Sequence, residues 1–148
     1  MAISYEVAQK VINKKHLYCR LVDTDQFQKL QEEVTLPDAT FTFYSDGKIM
    51  NEGGVEFSWS SAADWAKYFE NRLKNSQVIH HIAPPHLEQI SPDEVKAVFG
   101  VQFSSGPKGS PTEGHYSGGG YYHELYVRKG DDWFLKELKM HSTYFRVG

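Results

Sequence analysis

Apolar positions in the first part of the chain recur at the spacing of an amphipathic helix. From Ser4 to Val22 they fall three or four residues apart, which predicts one long helix. The same spacing returns in a second predicted helix, which begins after Asp25 and is expected to end at Pro37. A third helix is predicted over "AADWAKYFENRLKN", because Ser61 and Asp64 directly before and inside it resemble a capping box.

Alternating apolar and polar positions predict strands in the rest of the chain. "ATFTFYSDG" ends in a turn signal, and a short strand is expected around "VEFSW". After Ser76 no further helix is predicted. The segments "QVIHHIAPPHLEQI" and "DEVKAVFGVQFSS" are expected to be two strands, followed by a final hairpin that turns at Gly130. "GPKGSPTEGHYSGGG" between them is typical of a loop or a long hairpin tip.

Helices in the first half and strands in the second half predict an α+β fold. We expect a curved antiparallel sheet wrapped around the N-terminal helices, forming a cone with an interior pocket that opens at one end. No repeat or linker divides the sequence, so residues 1–148 are predicted to form a single domain.

Composition narrows the function classes. Hydrophobic residues make up 40% of the chain and aromatic residues 14%, enough for a core and an aromatic-lined pocket. A net charge of −3 argues against a nucleic-acid partner, and no stretch is long and apolar enough for a signal peptide or a membrane span. The single Cys19 excludes an intramolecular disulfide and a cysteine-based zinc site. A soluble cytoplasmic protein is therefore expected.

The segment "HHIAPPH" places three histidines, His80, His81 and His86, within seven residues. A shared metal site is not expected, because neighbouring strand residues point to opposite faces and His80 and His86 are roughly 20 Å apart on an extended strand. Imidazole titrates near neutral pH, so one inward-facing histidine, His80, is suited to proton transfer. The alternative is an ordinary hydrogen-bonded strand histidine, and a register shift of one residue would place His81 inward instead.

Other polar residues allow two interpretations each. Asp23 is either an N-cap of the second helix or a carboxylate that orients a histidine. Tyr44 is either packed in the sheet or a phenol that donates to substrate. In "YYHELY" only alternate residues can face a pocket, so either Tyr122 and Glu124 or the intervening residues do so. The glycines in "SGGGYY" precede a strand and lack the lysine of a phosphate loop; a flexible loop or a bulge is expected there.

The segments "YCRLVDTDQFQKLQEEVTLPDATFTF", "VIHHIAPPHLEQISPDEVKAVF" and "GYYHELYVRKGDDWFLKEL" resemble the nuclear-transport-factor-2-like superfamily, and within it the SnoaL-like cyclases and scytalone dehydratase. The resemblance extends from about Glu6 to Tyr144. It implies the α+β cone, a fold that hosts dehydratases, isomerases, cyclases and non-catalytic binding modules.

By position, the resemblance implies that Asp23, Tyr44 and His80 are catalytic and line one cavity. His80 would move protons, Asp23 would orient it, and Tyr44 would bind the substrate oxygen. The second histidine of scytalone dehydratase falls at Ser105, and its asparagine on the next strand falls at Tyr122. These departures argue against a true scytalone dehydratase and predict a related fold whose pocket carries different polar residues. We expect its substrate-binding residues to be Tyr122, Glu124, Ser105, Phe103, Trp65 and His141.

The predicted function is cofactor-independent acid–base catalysis, either dehydration, isomerisation or cyclisation, on a hydrophobic carbonyl compound of the polycyclic, polyketide or terpenoid type in secondary metabolism. No cofactor and no metal are expected. The alternatives are a binding module of the same fold, the small subunit of a ring-hydroxylating dioxygenase, or catalysis by Glu124, His123 or His141 with a structural His80. A homodimer or homotrimer is expected, because both faces of "VKAVFGVQF" carry apolar side chains.

Overall fold

Three helices form the first layer of the molecule, which a computed structural model describes over residues 2–148. They are α1 (Tyr5–Asp23), α2 (Phe27–Glu33) and α3 (Ala62–Leu73). The Ser4 hydroxyl accepts the Val7 backbone N–H at 3.2 Å and so caps α1. The Ser61 hydroxyl does the same for Asp64 at 3.1 Å, which confirms the predicted start of α3.

One long strand follows α2, and four strands of two residues each lie between it and α3. The remaining, longer strands occupy the second half of the chain. In chain order the strands are β1 (Thr35–Ser45), β2 (Lys48–Ile49), β3 (Asn51–Glu52), β4 (Val55–Glu56), β5 (Ser58–Trp59), β6 (Ser76–Ile82), β7 (His86–Ser91), β8 (Glu94–Pro107), β9 (Tyr116–Lys129) and β10 (Asp132–Val147).

One curved sheet carries most of these strands in the order β2-β1-β10-β9-β8-β6. Neighbouring strands are antiparallel except β1 and β10, which pair in parallel. β5 also pairs with β1, β7 also pairs with β8, and β3 and β4 form a separate small hairpin. The predicted α+β class is confirmed, and the helices lie against the concave face of the sheet.

Trp65 of α3 is the centre of the packing between helices and sheet. Its ring is 1% exposed and stacks on Phe41 of β1 with centroids 4.5 Å apart and planes 9° apart. On another side it stacks on Tyr18 of α1 at 5.6 Å, and Phe27 of α2 meets it edge-on at 5.8 Å. Stacked and edge-to-face pairs add to the burial of apolar area, so one indole joins all three helices to the sheet.

The glycine run in "SGGGYY" lies inside β9, not in a loop as predicted. A Cβ on Gly120 would lie 2.0 Å from the His141 carbonyl oxygen, and one on Gly119 would lie 2.5 Å from the Val101 carbonyl oxygen. The ladder between β9 and β10 shifts register beside these glycines, between Ser142 and Tyr144. Glycine is therefore needed here because the neighbouring strands approach too closely for any side chain. The bulge named as an alternative matches this register shift.

Two predicted element boundaries are also wrong. The second helix ends at Glu33 and not at Pro37, which lies within β1 where the register against β10 is irregular. "QVIHHIAPPHLEQI" forms two strands, β6 and β7, instead of one. The interruption covers residues 83–85, where two consecutive prolines cannot donate backbone N–H groups to a ladder.

The outer face of β8 is largely open in this single chain. Lys96 and Gln102 are exposed there and Val98 is half-buried, while the alternate residues Val95 and Phe99 are buried inside. The predicted homodimer or homotrimer is not tested by a single chain and stays a prediction. Among residues 2–148, no helix is both long enough and apolar enough to cross a membrane.

Candidate functional site

A histidine–aspartate pair lies where α1 ends beneath β6. The Nδ1 atom of His80 is 2.5 Å from Oδ1 of Asp23, and the other carboxylate oxygen accepts the His80 backbone N–H at 2.9 Å. Both side chains are mostly buried, with 13% and 15% of their areas exposed. Two bonds from one carboxylate fix the imidazole ring, and they leave Nε2 as the ring nitrogen available for chemistry.

Local structure explains why these two residues meet across 57 positions of sequence. Asp23 is the last residue of α1, and its carboxylate does not cap α2, whose N-cap Gln26 makes no side-chain capping bond. Along β6 exposure alternates, so that Val78, His80 and Ile82 turn inward while His81 is exposed. The orienting role considered for Asp23 thus agrees with the geometry, and the N-cap interpretation does not.

His80 lines a cavity that encloses about 140 Å³ between the helices and the sheet. The walls are mostly aromatic and aliphatic, with a few polar groups among them, as is usual for small-molecule sites. The lining residues are Tyr18, Val22, Phe43, Met50, Phe57, Trp65, Phe69, Arg72, Leu73, Val78, His80, Phe103, Tyr116, Tyr122, Met140, Ser142 and Phe145.

Arg72 is the one cation among these lining residues, and its charge is already paired. Its guanidinium donates to both carboxylate oxygens of Glu52, at 3.3 and 3.0 Å, and contacts the Tyr116 hydroxyl at 3.4 Å. Burial alone would lower the pKa of Arg72, but the bonds to Glu52 and Tyr116 outweigh it and raise that pKa. The pair ties α3 to the β3–β4 hairpin, in which Glu52 lies.

A second buried polar cluster lies beside the cavity. Lys15 and Glu124, whose side chains are both 0% exposed, form an ion pair at 2.6 Å, and the Tyr126 hydroxyl donates to Glu124 at 2.9 Å. The Lys15 ammonium also lies 3.8 Å from the ring centroid of Tyr18 and 3.4 Å from that of Tyr122. The cluster therefore connects the interior of the sheet to two phenols that line the cavity.

Burial decides the protonation of these phenols. Desolvation raises the pKa of Tyr18, Tyr122 and Tyr126 well above 10.0, and the negative charge of Glu124 raises each of them further. The Cys19 thiol nearby is also buried, which raises its pKa from 9.0 to about 12. All four groups are thus neutral at physiological pH, and the phenols are hydrogen-bond donors rather than bases.

Two residues expected in the site lie outside the cavity. Tyr44 and His141 stack on each other on the outer face of the sheet, with ring centroids 4.6 Å apart and planes 7° apart. The reason is strand parity: Phe43 faces the cavity, so Tyr44 must face away from it. His123 lies 5.1 Å from His141 on the same outer face. Partial burial lowers the pKa of His141, and His123 and Lys139 lower it further.

Glu124 and Ser105 also fall outside the lining. Both are inward and buried, but Glu124 is occupied by Lys15 and Tyr126. The Ser105 hydroxyl is buried without a hydrogen-bond partner in the part of the chain that the structure describes, beside the lining residues Val78 and Tyr116, with which it pairs across strands. Glu124 and Ser105 therefore lie on the expected inner face of the sheet, and they are absent from the cavity lining because they are buried.

Three other predicted residues, Phe103, Trp65 and Tyr122, do line the cavity with His80. The sequence pattern did not single out Tyr18 and Arg72, which lie within the predicted first and third helices. A signal for Tyr18 was available, because it lies four residues before Val22 and hence on the same helix face. Among residues 2–148, no group of three or more His, Cys, Asp or Glu side chains could hold a metal ion.

Comparison with known proteins places this architecture in a family. The sequence pattern of the SnoaL-like domain matches residues 5–139. The chain belongs to the SnoaL-like domain family. The predicted resemblance is therefore confirmed at the level of the family.

A relative of similar length comes from Gibberella zeae and is named probable cyclase FGR4. It is 41% identical over 148 residues, which cover 99% of this chain and 98% of that protein. The prediction that this SnoaL-like chain is an enzyme of the cyclase or dehydratase type agrees with that name.

Solved structures share the SnoaL-like fold at much lower identity. A candidate scytalone dehydratase from Novosphingobium aromaticivorans has a TM-score of 0.76 at 13% identity, covering 95% of this chain and 86% of that one. The Kfla4162 protein from Kribbella flavida has a TM-score of 0.78 at 16% identity, covering 95% and 93%. At such identities the likeness shows the fold alone.

Proposed function

We propose that this chain is a cofactor-independent acid–base enzyme of the cyclase or dehydratase type, with His80 as its proton-transfer group. The observation that carries the proposal is the 2.5 Å contact between His80 and Asp23 at the wall of a mostly apolar cavity. Asp23 holds the ring through Nδ1, so that Nε2 can accept or deliver a proton. Asp23 is thus a positioning residue for His80.

The proposed first step is removal of a proton from a carbon next to a carbonyl group. The proton passes to Nε2 of His80, the C–H electron pair forms an enolate, and the Asp23 carboxylate balances the imidazolium charge. The same proton can then return to a departing hydroxyl, to another carbon, or to an oxygen formed on ring closure. These three outcomes are dehydration, isomerisation and cyclisation, and none of them requires electrons from a cofactor.

The cavity supports a hydrophobic ring compound as the substrate class. Its enclosed volume of about 140 Å³ is close to that of the roughly 150 Å³ apolar cavity that accepts benzene in an engineered lysozyme. One ring of a polycyclic carbonyl compound would fill the enclosed part, and further rings would extend toward the opening. We propose substrates of the polyketide or terpenoid type, in keeping with the cyclase name of the Gibberella zeae relative.

The binding-module alternative is less well supported. A fold that has lost its chemistry would be expected to fill the cavity with aromatic side chains or to separate His80 from Asp23. Here the space between Phe43, Phe69 and Phe103 is open, and the two residues of the dyad, His80 and Asp23, are in contact. The alternative of catalysis by His123 or His141 is also disfavoured, since these two residues face outward.

Deuterium exchange tests the proposed proton transfer directly. The bicyclic ketone 2-tetralone has acidic C–H bonds next to its carbonyl, and their exchange in D₂O can be followed by NMR with and without the protein. His80→Ala is expected to lower the catalysed exchange rate by roughly 10²–10⁴-fold, the usual contribution of a positioned proton-transfer group. Asp23→Asn should lower it less, and the two losses should not add, because the residues act as one unit.

His81→Ala is the matched control, because it removes a neighbouring imidazole that is exposed on the opposite face of β6. It should exchange 2-tetralone at the wild-type rate. The proposal is contradicted if His80→Ala folds, as judged by circular dichroism, and keeps the wild-type exchange rate. It is also contradicted if Glu124→Gln, and not His80→Ala, removes exchange from a folded protein.

A further inference from the structure

Two phenols from different elements meet at the wall of the cavity. Tyr18 of α1 and Tyr122 of β9 are 3% and 4% exposed, and their ring centroids are 6.1 Å apart with planes at 74°. The nearby Tyr18 side chain partly offsets the rise in the Tyr122 pKa that burial causes. Two phenols thus meet at one place in the cavity lining, where one hydroxyl can donate to the other.

A buried lysine contacts both rings and holds them in place. The Lys15 ammonium lies over both ring faces, 3.8 Å from the Tyr18 centroid and 3.4 Å from the Tyr122 centroid. Lys15 is itself fixed by the buried ion pair with Glu124 at 2.6 Å. Cations over aromatic faces attract the ring, most strongly where water is excluded. The phenols are therefore pre-organised before any ligand enters.

His80 lines the same cavity and contacts Asp23. Tyr18 and Val22 share one face of α1, and Asp23 follows Val22 directly at the end of that helix. Asp23 is close enough for its charge to raise the pKa of both phenols. A ring compound that reaches His80 would occupy the cavity that both phenols also line.

We propose that Tyr122, with Tyr18 donating to it, binds the carbonyl oxygen of the substrate and stabilises the negative charge that this oxygen acquires. The assignment rests on the proposed function. When His80 Nε2 takes the proton from carbon, the electron pair moves onto the carbonyl oxygen, and no proton leaves either phenol. Because burial keeps both phenols neutral, each retains the O–H that the charge needs. Tyr122 then contacts the reacting atoms, and Tyr18 is a positioning residue.

The test compares two ligands that differ by one hydroxyl, 2-naphthol and naphthalene. At a pH where 2-naphthol ionises, its anion resembles the enolate of 2-tetralone, whereas naphthalene fills the cavity without an oxygen. The ratio of their dissociation constants, measured by fluorescence titration, isolates recognition of the oxygen. Tyr122→Phe should lower the preference for 2-naphthol by about ten- to a hundredfold, the loss expected for one hydrogen bond to a charged group.

Tyr18→Phe should also lower the preference for 2-naphthol, but by less, because it removes only the hydroxyl that donates to Tyr122. Tyr44→Phe is the matched control, since it deletes the same hydroxyl from a tyrosine on the outer face. It should leave the ratio unchanged. Naphthalene affinity should stay within about threefold in all three variants, because each keeps its ring.

A second measurement needs no variant. In the wild-type protein the carbonyl stretch of bound 2-tetralone should lie at lower frequency than in cyclohexane, as a hydrogen-bonded carbonyl does. A stretch at the cyclohexane value overturns the proposal. An unchanged ligand ratio in a folded Tyr122→Phe variant also overturns it.

The two proposals fail in different ways. If His80→Ala and not Tyr122→Phe abolishes the preference for 2-naphthol, the ligand oxygen binds at His80. The role proposed for Tyr122 and Tyr18 is then wrong, while the role of His80 and Asp23 remains supported. If His80→Ala leaves exchange intact but Tyr122→Phe loses the preference, the phenol pair binds oxygen in a site whose base is not His80.

Discussion

Removing one partner of the buried Lys15–Glu124 pair is expected to be among the most damaging substitutions in this protein. Both side chains are fully buried, the ion-pair distance is 2.6 Å, and Tyr126 occupies the second carboxylate oxygen. Lys15→Met would leave the Glu124 carboxylate with only one neutral donor in a site that water cannot reach. Breaking such a pair costs about 3–5 kcal/mol of unfolding free energy.

That loss is large enough to measure by two methods. For a chain of this length each kcal/mol lowers the melting temperature by roughly 2–4 °C, so Lys15→Met should melt roughly 6–20 °C below wild type. Urea unfolding followed by circular dichroism should give the same loss of free energy. Lys29→Met is the control, because the Lys29–Glu33 pair is 3.8 Å long with both side chains about half exposed. It should cost less than about 1 kcal/mol.

The reasoning is refuted if Lys15→Met costs no more than Lys29→Met. It also predicts coupling: replacing all three polar groups with Lys15→Met, Glu124→Leu and Tyr126→Phe should cost less than Lys15→Met alone, because no charge or hydroxyl then remains unpaired. Additive losses in the combined variant would show that the cost arises from packing rather than from an uncompensated charge.

Three further predictions follow from close contacts and from the shifted pKa values. Gly120→Ala should cost roughly 1–3 kcal/mol or more, because its Cβ meets the backbone of β10, whereas Gly100→Ala meets only side chains at 3.4 Å or beyond and should stay within about 1 kcal/mol in urea titrations. With its pKa raised from 9.0 to about 12, the Cys19 thiol should react with a disulfide reagent at pH 8 about a thousandfold more slowly than in urea-unfolded protein, before its burial is counted; comparable rates would contradict this. Above pH 10 the unfolded chain loses phenolic protons that the folded chain keeps, so unfolding free energy should fall as pH rises, and Tyr126→Phe should reduce that slope by about 1.4 kcal/mol per pH unit; an unchanged slope would show that Tyr126 ionises in the folded protein.

Strand parity was the most reliable guide from sequence to site. Alternation along β6 places His80 inward and His81 outward, as the structure has them. The same rule, applied to Phe41 and Phe43, would have placed Tyr44 on the outer face. Only the family resemblance predicts Tyr44 in the cavity. The physical periodicity was the better evidence at that position.

Other features of the site could not be predicted from pattern. A lysine on an amphipathic helix is normally exposed, so nothing in the sequence indicated that Lys15 is buried against Glu124. At the glycines of β9 the sequence predicts a flexible loop or a bulge, and the loop is wrong because these residues lie inside the strand. Their reason is the closeness of the neighbouring strands, and that distance depends on how residues far apart in sequence pack. Both errors concern tertiary contacts that no local period encodes.

The contact between His80 and Asp23 combines the proposed proton transfer with a structural role, and this decides which variant tests it best. β6 is the last strand on its side of the sheet, so the His80 backbone N–H has no neighbouring strand to donate to on its open side, and the Asp23 carboxylate accepts it at 2.9 Å. The same carboxylate holds the imidazole through its other oxygen at 2.5 Å. A variant of Asp23 therefore loses a bond that closes the sheet edge as well as one that orients the ring, and a fall in its activity has two causes. His80→Ala keeps the backbone bond and removes only the imidazole, so its effect on proton transfer can be attributed to the ring alone.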